Sequence, residues 1–367
     1  MTRKKKSLFN FLTQVFFASL MCASMSFFSS CSKKNDKNLP VLKFTKSINP
    51  SPVINIVDLD GIAIKNGLKP IIELSNDLES VITGKNDAKL NDLIPPLISA
   101  ASGADLVIYA GSMTGGHILY ANKNVAEELK DLKNWKGHTI GMYQGNTGYF
   151  LVPNILKRLY GYTDEDVEIK LLMDFDAQVA ACAKGEVDLT NLSYSGRDTA
   201  DSYGLVKIAE LVDLAPDYAC CRQTANGQRF REDRNLFVLW TKSLIEAWKI
   251  FKTDEEHSIE VMMKQTGESR NWVYEHYYDA NFNAHTSMHP DPNYNGVCIQ
   301  YETCVEQGFV ENPRPLEDFF DISVYAEALR LVIDENPGDS FYTDMWTYFV
   351  NHNNKYPNFS KLYPNVY

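Results

Sequence analysis

Three turns and one strand carry the side chains that could do chemistry. Asn49-Pro50-Ser51, Ser112-Met113-Thr114-Gly115-Gly116 and Gln144-Gly145-Asn146-Thr147-Gly148 each follow a strand-like run and read as the opening of a helix. The first backbone N–H groups of a helix lack partners and its dipole favours negative charge there. Hydroxyl- and glycine-rich turns at such a place let a carboxylate, a sulfonate or a planar heterocycle come close. The same hydroxyls serve equally well as plain helix caps. Tyr194-Ser195-Gly196-Arg197 follows another strand-like run, and Tyr143, Tyr149 and Tyr194 could stack on a planar ligand or cover a rim. Arg222 could hold an anion through two parallel N–H bonds, or stand as an ordinary surface arginine. The expected ligand contacts are Asn49, Ser51, Ser112, Met113, Thr114, Gly115, Tyr143, Gly145, Asn146, Thr147, Tyr149, Tyr194 and Arg222.

Cysteine and histidine offer other chemistry. Beyond Cys22 and Cys31 stand Cys182, Cys220, Cys221, Cys298 and Cys304, an odd set that cannot pair completely. Cys298 and Cys304 fall in a loop-like stretch and could close a small disulfide after export. Cys220-Cys221 reads as a buried or vicinal thiol pair. No CxxC pair supports zinc. His285 and His289 have the spacing of ligands on one helical face, but Pro290 and turn-rich surroundings work against a helix there. Neither a Ser-His-Asp order nor a phosphate-cradling GxxxxGK is present. No catalytic residue, metal or cofactor is expected.

The elements that must hold these turns alternate in type. Strands read at 41–45, 69–74, 88–91, 106–110, 139–142, 167–172 and 188–192, and helices at 53–65, 77–83, 93–101, 149–160 and 176–183. Leu106-Val107-Ile108-Tyr109-Ala110 is nearly continuously apolar, as a strand covered on both faces must be. Residues 78–87 are echoed at 178–188, each segment placing a glycine just before an aspartate, so two similar units follow one another. Beyond Asp213 a strand-like run at 219–222 leads into helices at 236–252, 257–266, 271–278, 301–308, 323–335 and 341–351, with 281–296 rich in turns. Strands alternating with helices imply parallel α/β sheets.

The front of the chain reads as an export signal. Arg3, Lys4, Lys5 and Lys6 precede an apolar stretch broken by Asn10, Thr13 and Gln14, too short and polar for a good membrane span. Phe28-Ser29-Ser30-Cys31 resembles a lipobox, in which small residues fit the signal peptidase and the Cys31 thiol carries the lipid. Residues 1–30 are thus expected to be a lipoprotein signal peptide, 31–39 a polar tether, and the protein exported and held to the membrane by acyl chains alone. Taking the four basic residues of the signal from 36 leaves 32 against 47 acidic, a charge near −15. That excludes the basic footprint of a nucleic-acid binder.

The family resemblance rests on an ordered set of segments. These are Asn66-Gly67-Leu68, Gly84-Lys85-Asn86-Asp87, Ala104-Asp105-Leu106-Val107-Ile108, Leu132-Lys133-Asn134-Trp135-Lys136-Gly137-His138-Thr139-Ile140-Gly141, Gly161-Tyr162-Thr163-Asp164-Glu165-Asp166-Val167-Glu168-Ile169 and Lys184-Gly185-Glu186-Val187-Asp188. Together they resemble the periplasmic solute-binding proteins of ABC importers, in the branch that binds nitrate, taurine, alkanesulfonates and thiamine-pyrimidine precursors. The likeness spans about residues 41–252. It implies the type II periplasmic-binding-protein fold, with two lobes, each a mainly parallel sheet flanked by helices, and a cleft that closes by a hinge. Lobe 1 is expected to combine 40–136 with 217–367, and lobe 2 to run from 137 to 216. The resemblance further implies a monomer that captures a small anionic or heteroaromatic solute and hands it to permease and ATPase subunits. A sensor subunit would use the same lobes. Relatives that build the thiamine pyrimidine carry a cysteine-rich run and a Trp near the first turn. Here only Cys220-Cys221 precedes Arg222-Gln223-Thr224, and Ile48 stands in the Trp position. Both departures argue against that enzyme.

Overall fold

The computed structural model describes residues 38–47, 51–144, 146–216 and 218–364, so that Cys31, Asn49 and Gly145 lie outside the described residues. The described residues from Pro40 onward form one compact unit. The first part of this unit runs β1 (Val41–Lys46), α1 (Pro52–Leu59), α2 (Ile62–Lys65), β2 (Lys69–Leu74), α3 (Glu79–Ile82), β3 (Ala88–Asp92), α4 (Ile94–Ala101) and β4 (Leu106–Thr114). The middle part follows with β5 (His117–Ala121), α5 (Ala126–Leu129), β6 (Thr139–Tyr143), α6 (Thr147–Tyr160), β7 (Glu168–Leu172), α7 (Phe175–Lys184), β8 (Leu189–Ser193), α8 (Arg197–Ser202), β9 (Val206–Glu210) and α9 (Leu211–Leu214). The chain then returns through β10 (Ala219–Asn226) to α10 (Gly227–Glu232), α11 (Arg234–Thr253), α12 (Glu255–Thr266), α13 (Arg270–Tyr277), α14 (Tyr294–Glu306), α15 (Ser323–Glu335), α16 (Ser340–Asn353) and α17 (Phe359–Leu362).

Among the described residues the strands form two five-stranded sheets, in the orders β2-β1-β3-β10-β4 and β7-β6-β8-β5-β9. In the first, β1 is parallel to β2 and β3, and β10 runs antiparallel to β3 and β4. In the second, β6 is parallel to β7 and β8, and β5 runs antiparallel to β8 and β9. Each sheet thus has a parallel core and one reversed strand, the two-unit echo of the sequence made structural. This is the two-lobed periplasmic-binding-protein fold.

Several expectations change in detail, each for a local reason. Helix 53–65 is cut in two because Gly61 takes φ 63°, the left-handed region that ends α1 and starts α2. The strand read at 106–110 continues to Thr114, since Gly111, Met113 and Thr114 pair with β10. The second expected turn is therefore strand, and Gly115-Gly116 leads into β5 rather than into a helix. Strands β5 and β9 escaped the sequence reading. His117–Ala121 already pairs into the second sheet, ahead of the expected start of lobe 2 at 137. Cys298 and Cys304 both lie on α14 and are free thiols. Six residues of helix separate them by about 9 Å, beyond the roughly 7 Å limit for a disulfide.

The core of the first lobe lies between its sheet and the long helix α11. Trp240 packs on Phe44 at 4.8 Å between ring centroids, and Phe237 meets Tyr109 edge-on at 5.2 Å. The Trp240 indole N–H and the Tyr109 hydroxyl both donate to Oε1 of the buried Gln223, at 2.7 and 3.2 Å. Those two bonds fix β10 one residue away from Arg222. No helix among the described residues is long and apolar enough to cross a membrane.

Candidate binding cleft

In open α/β sheets ligands gather outside the carboxyl ends of the parallel strands. At that edge of the first sheet stand Lys46, Asp92 and Thr114, with the start of β10 running back between them: Cys221 is in register with Asp92 and Ala219 with Thr114. At the same edge of the second sheet stand Tyr143, Ser193 and the start of β5, where His117 is in register with Ser193. The two edges meet where the Thr147 hydroxyl, on α6 of the second lobe, points to Cys220 Sγ on β10 at 3.9 Å.

The first turn holds polar groups that the described residues leave without a partner. Ser51 is the N-cap of α1, yet its side chain makes no capping bond, and its buried hydroxyl has no hydrogen-bond partner. Beneath it Lys46, buried at the end of β1, donates to Asn55 Oδ1 at 2.7 Å. Burial lowers the Lys46 ammonium pKa, with Asp58 partly restoring it. Among the described residues Lys46 has no carboxylate at ion-pair distance, and neither has the buried Arg222.

Arg222 is not the surface arginine allowed by the sequence. It is 1% exposed, its Nε donates to the Pro292 carbonyl at 2.7 Å, and Nη1 donates to the Met113 and Cys221 carbonyls at 3.0 and 2.7 Å. Nε and Nη1 are committed to backbone, which leaves an anion the charge and Nη2 rather than a grip through both prongs. Burial weakens its hold on the proton.

At the third turn Asn146 caps α6 by accepting the Gly148 N–H at 2.7 Å, and Thr147 is fully buried. Gly148 is required there, because a Cβ would lie 1.8 Å from Asn191 Oδ1. That oxygen faces His117 Nδ1 at 3.1 Å, and His117 Nε2 faces Cys220 Sγ at 3.4 Å. His117 also donates its backbone N–H to the Tyr218 hydroxyl at 3.1 Å. His117 and Asn191 were not among the expected site residues. The signal was there in Gly115-Gly116 followed by an apolar run, which is a strand entry with a histidine at its head.

The other expected residues scatter around this centre. Met113 and Tyr194 converge on Gly116, where a Cβ would lie 3.6 Å from the Met113 methyl and 3.2 Å from the Tyr194 ring. Ser112 is buried, Thr114 is half-buried, and Gly115 takes φ 78° against the His285 carbonyl. Tyr143 is exposed beside Phe175, with 5.9 Å between ring centroids. Tyr149 faces away from this centre, packing on Phe150 and Phe309. It lines a separate groove of about 420 Å³ on the outer side of α6, which holds none of the other expected residues.

The thiols define the electrostatics. Cys220 Sγ lies 3.5 Å from Cys221 Sγ, and Cys221 Sγ lies 3.6 Å from Asp92 Oδ1. Donation from Cys221, helped by His117 and Thr147, holds the Cys220 thiol well below its ordinary range, and the same bond to Cys220, with burial, holds Cys221 well above its own. Burial opposes charge on His117, but the Cys220 thiolate, its hydrogen bonds and Asp92 prevail and raise the imidazole. Asp92 reaches solvent yet is closely surrounded by protein, and that enclosure with the Cys220 thiolate raises its carboxyl to about 6. One ligand atom each from Asp92, Cys220 and Cys221 falls within 4.8 Å of the others, a donor set that zinc accepts.

No family model and no curated protein sequence matches the chain. Its fold has close solved counterparts. A putative periplasmic sulfonate-binding protein SsuA of Methylobacillus flagellatus KT superposes with a TM-score of 0.65 at 18% identity, over 81% of this chain and 96% of that one. The periplasmic nitrate-binding protein NrtA of Synechocystis PCC 6803 gives 0.65 at 11% identity, over 82% and 92%. The desulfurization enzyme DSZB gives 0.57 at 12% identity, over 80% and 99%. At these identities the likeness establishes the two-lobed fold, a scaffold used by transport proteins and by an enzyme.

Proposed function

We propose that this chain is the solute-binding component of an ABC importer, capturing a small anion between its lobes. The observation that carries the reading is the first turn: a helix N-terminus, with a buried Ser51 hydroxyl that has no partner and a buried Lys46 that has no counter-ion among the described residues. A sulfonate, carboxylate or nitrate oxygen would accept from Ser51 and the α1 backbone, and its charge would offset those of Lys46 and Arg222. On this reading Thr147, Ser112, Met113 and Tyr194 would meet the solute once the lobes part around it. The sulfonate- and nitrate-binding neighbours favour an oxyanion among the possible solutes. Permease and ATPase subunits are the partners this role requires.

Thermal shift against sulfonates, nitrate, carboxylates and pyrimidines tests the reading. At about a hundredfold excess over Kd the right ligand adds roughly 2.7 kcal/mol. Ser51→Ala separates a ligand contact from a cap. Since the hydroxyl has no partner among the described residues, the free protein keeps its Tm, while the complex weakens about tenfold, the worth of a hydrogen bond to a charged group. A Tm loss without ligand, or a full-strength shift from the variant, rejects the assignment.

The lipid anchor belongs to the same reading. Cys31→Ser is expected to move the exported protein from the membrane pellet to the soluble fraction, and loss of metabolic labelling by a fatty acid would accompany it. A variant that still pellets and labels would refute Cys31 as the anchor.

A further inference from the structure

Solute capture makes no use of two thiols whose sulfurs nearly touch. Neighbouring residues of a regular strand point to opposite faces, so adjacent cysteines do not normally meet. Here β10 slips its register against β4 between Ala219 and Cys221 and again between Cys221 and Arg222. An irregularity of this kind re-aims side chains, and it leaves the two sulfurs 3.5 Å apart. The second lobe adds a base: His117 on β5 reaches Cys220 with Nε2, while Asn191 accepts from Nδ1 and is itself oriented by donating to the Ile118 carbonyl at 3.4 Å.

We propose that Cys220 and Cys221 form a two-electron thiol redox centre, with Cys220 as attacking thiolate, Cys221 as resolving thiol and a small disulfide as oxidant. The Cys220 proton rests on His117. The Cys220 thiolate attacks one sulfur of the disulfide RSSR, forming a mixed disulfide and releasing RS⁻, which takes the proton from the His117 imidazolium. Cys221 gives its proton to Asp92, already within 3.6 Å, and attacks Cys220 Sγ. The second RS⁻ leaves and takes that proton from Asp92. The two cysteines are oxidised, RSSR is reduced to two RSH, His117 is left neutral and Asp92 returns to the carboxylate it was. Cys220 is covered by the second lobe, whereas Cys221 is half-buried and Asp92 open to solvent. The oxidant therefore enters from the Asp92 side as the lobes part.

The groups facing the pair are His117 from β5, Asp92 from β3, Arg222 from β10 itself, the Thr147 hydroxyl from α6, and the phenols of Tyr194 and Tyr218. Of these His117 reaches Cys220 and Asp92 reaches Cys221 directly.

The purified full-length chain, treated with a chelator and then oxidised glutathione, tests this. Peptide mapping should find Cys220 and Cys221 joined, with Cys182, Cys298 and Cys304 still open to alkylation. Cys221→Ser should halt at a glutathione adduct on Cys220, and Cys220→Ser should form none at this pair. Alkylation of Cys220 by iodoacetamide should be nearly flat from pH 6 to 8, where an ordinary thiol climbs about tenfold per unit. His117→Asn should restore that climb, whereas a residue that merely packs would leave the profile flat. The wild-type profile and map need no variant to fold. A Cys220 rate that climbs like an ordinary thiol, an adduct preferring Cys221, or a pair left reduced would each overturn the proposal.

Discussion

Gly111→Ala is expected to cost roughly 4 kcal/mol or more and to leave little folded protein, a size reached only by gross steric or electrostatic damage. A Cβ at Gly111 would lie 2.0 Å from the Asp291 carbonyl oxygen and 2.7 Å from that of His289. Both are backbone atoms, and neither can swing aside. The Gly111 N–H also donates to the Pro290 carbonyl at 2.8 Å, so the segment is bonded to the strand at the point of closest approach. That segment has no slack. The Asn353 amide grips both Asp291 oxygens at 3.0 and 3.1 Å, Asp291 accepts the Asn293 N–H at 2.7 Å, and Thr114 pairs with Ser287. Guanidinium unfolding monitored by tryptophan fluorescence gives the comparison. A midpoint close to wild type would mean that residues 289–291 do not lie against β4.

Arg222→Met should produce the second large loss, about 3 kcal/mol or more, by stranding the carbonyls of Pro292, Met113 and Cys221. A buried acceptor without a donor costs about 1–3 kcal/mol. Removing an uncompensated buried charge works the other way, so the balance measures how firmly the guanidinium clasps its three oxygens. Arg222→Lys keeps the charge without the fork and should fall between the two. The same pair of variants reports on the cleft. Where the charge attracts the solute, Lys retains more affinity than Met, and the gap between them narrows in high salt. Equal affinities in the two variants would remove Arg222 from the binding account.

The parallel half of each sheet was legible because buried parallel strands announce themselves as apolar runs with glycine stops, as Leu106-Val107-Ile108-Tyr109-Ala110 and Gly185 do. Strands β5 and β9 were harder. His117-Ile118-Leu119-Tyr120-Ala121 is an apolar run with no helix after it, and the alternation of strand and helix gave it no place. The turns at Ser51 and Asn146 were readable from caps and breakers. Ser112-Met113-Thr114 was misread because hydroxyl and small residues suit a turn as well as the end of a strand, and only pairing with β10 decides. Arg222 shows the limit most clearly. Its residue type suggested an anion clamp, but its partners are carbonyls up to 109 positions away, which no local pattern encodes. The His117–Cys220 contact is of the same kind, spanning 103 positions.

Thr114 and Ala219, the residues at which the chain leaves the first sheet and re-enters it, are direct register partners. Topologically the whole second lobe is an enlarged hairpin turn, an inserted cassette whose two ends are tied side by side. Such a cassette can be gained, exchanged or redesigned without disturbing the ladder that carries it. It also orders assembly in time. The β4–β10 ladder cannot zip until the intervening segment is compact enough to bring its ends together, since closing a long loose loop carries its full entropy cost before any rung forms. The inserted lobe is then the natural early folder, and the strand bearing Cys220, Cys221 and Arg222 docks last, as the keystone that joins β3 to β4 and completes the first sheet.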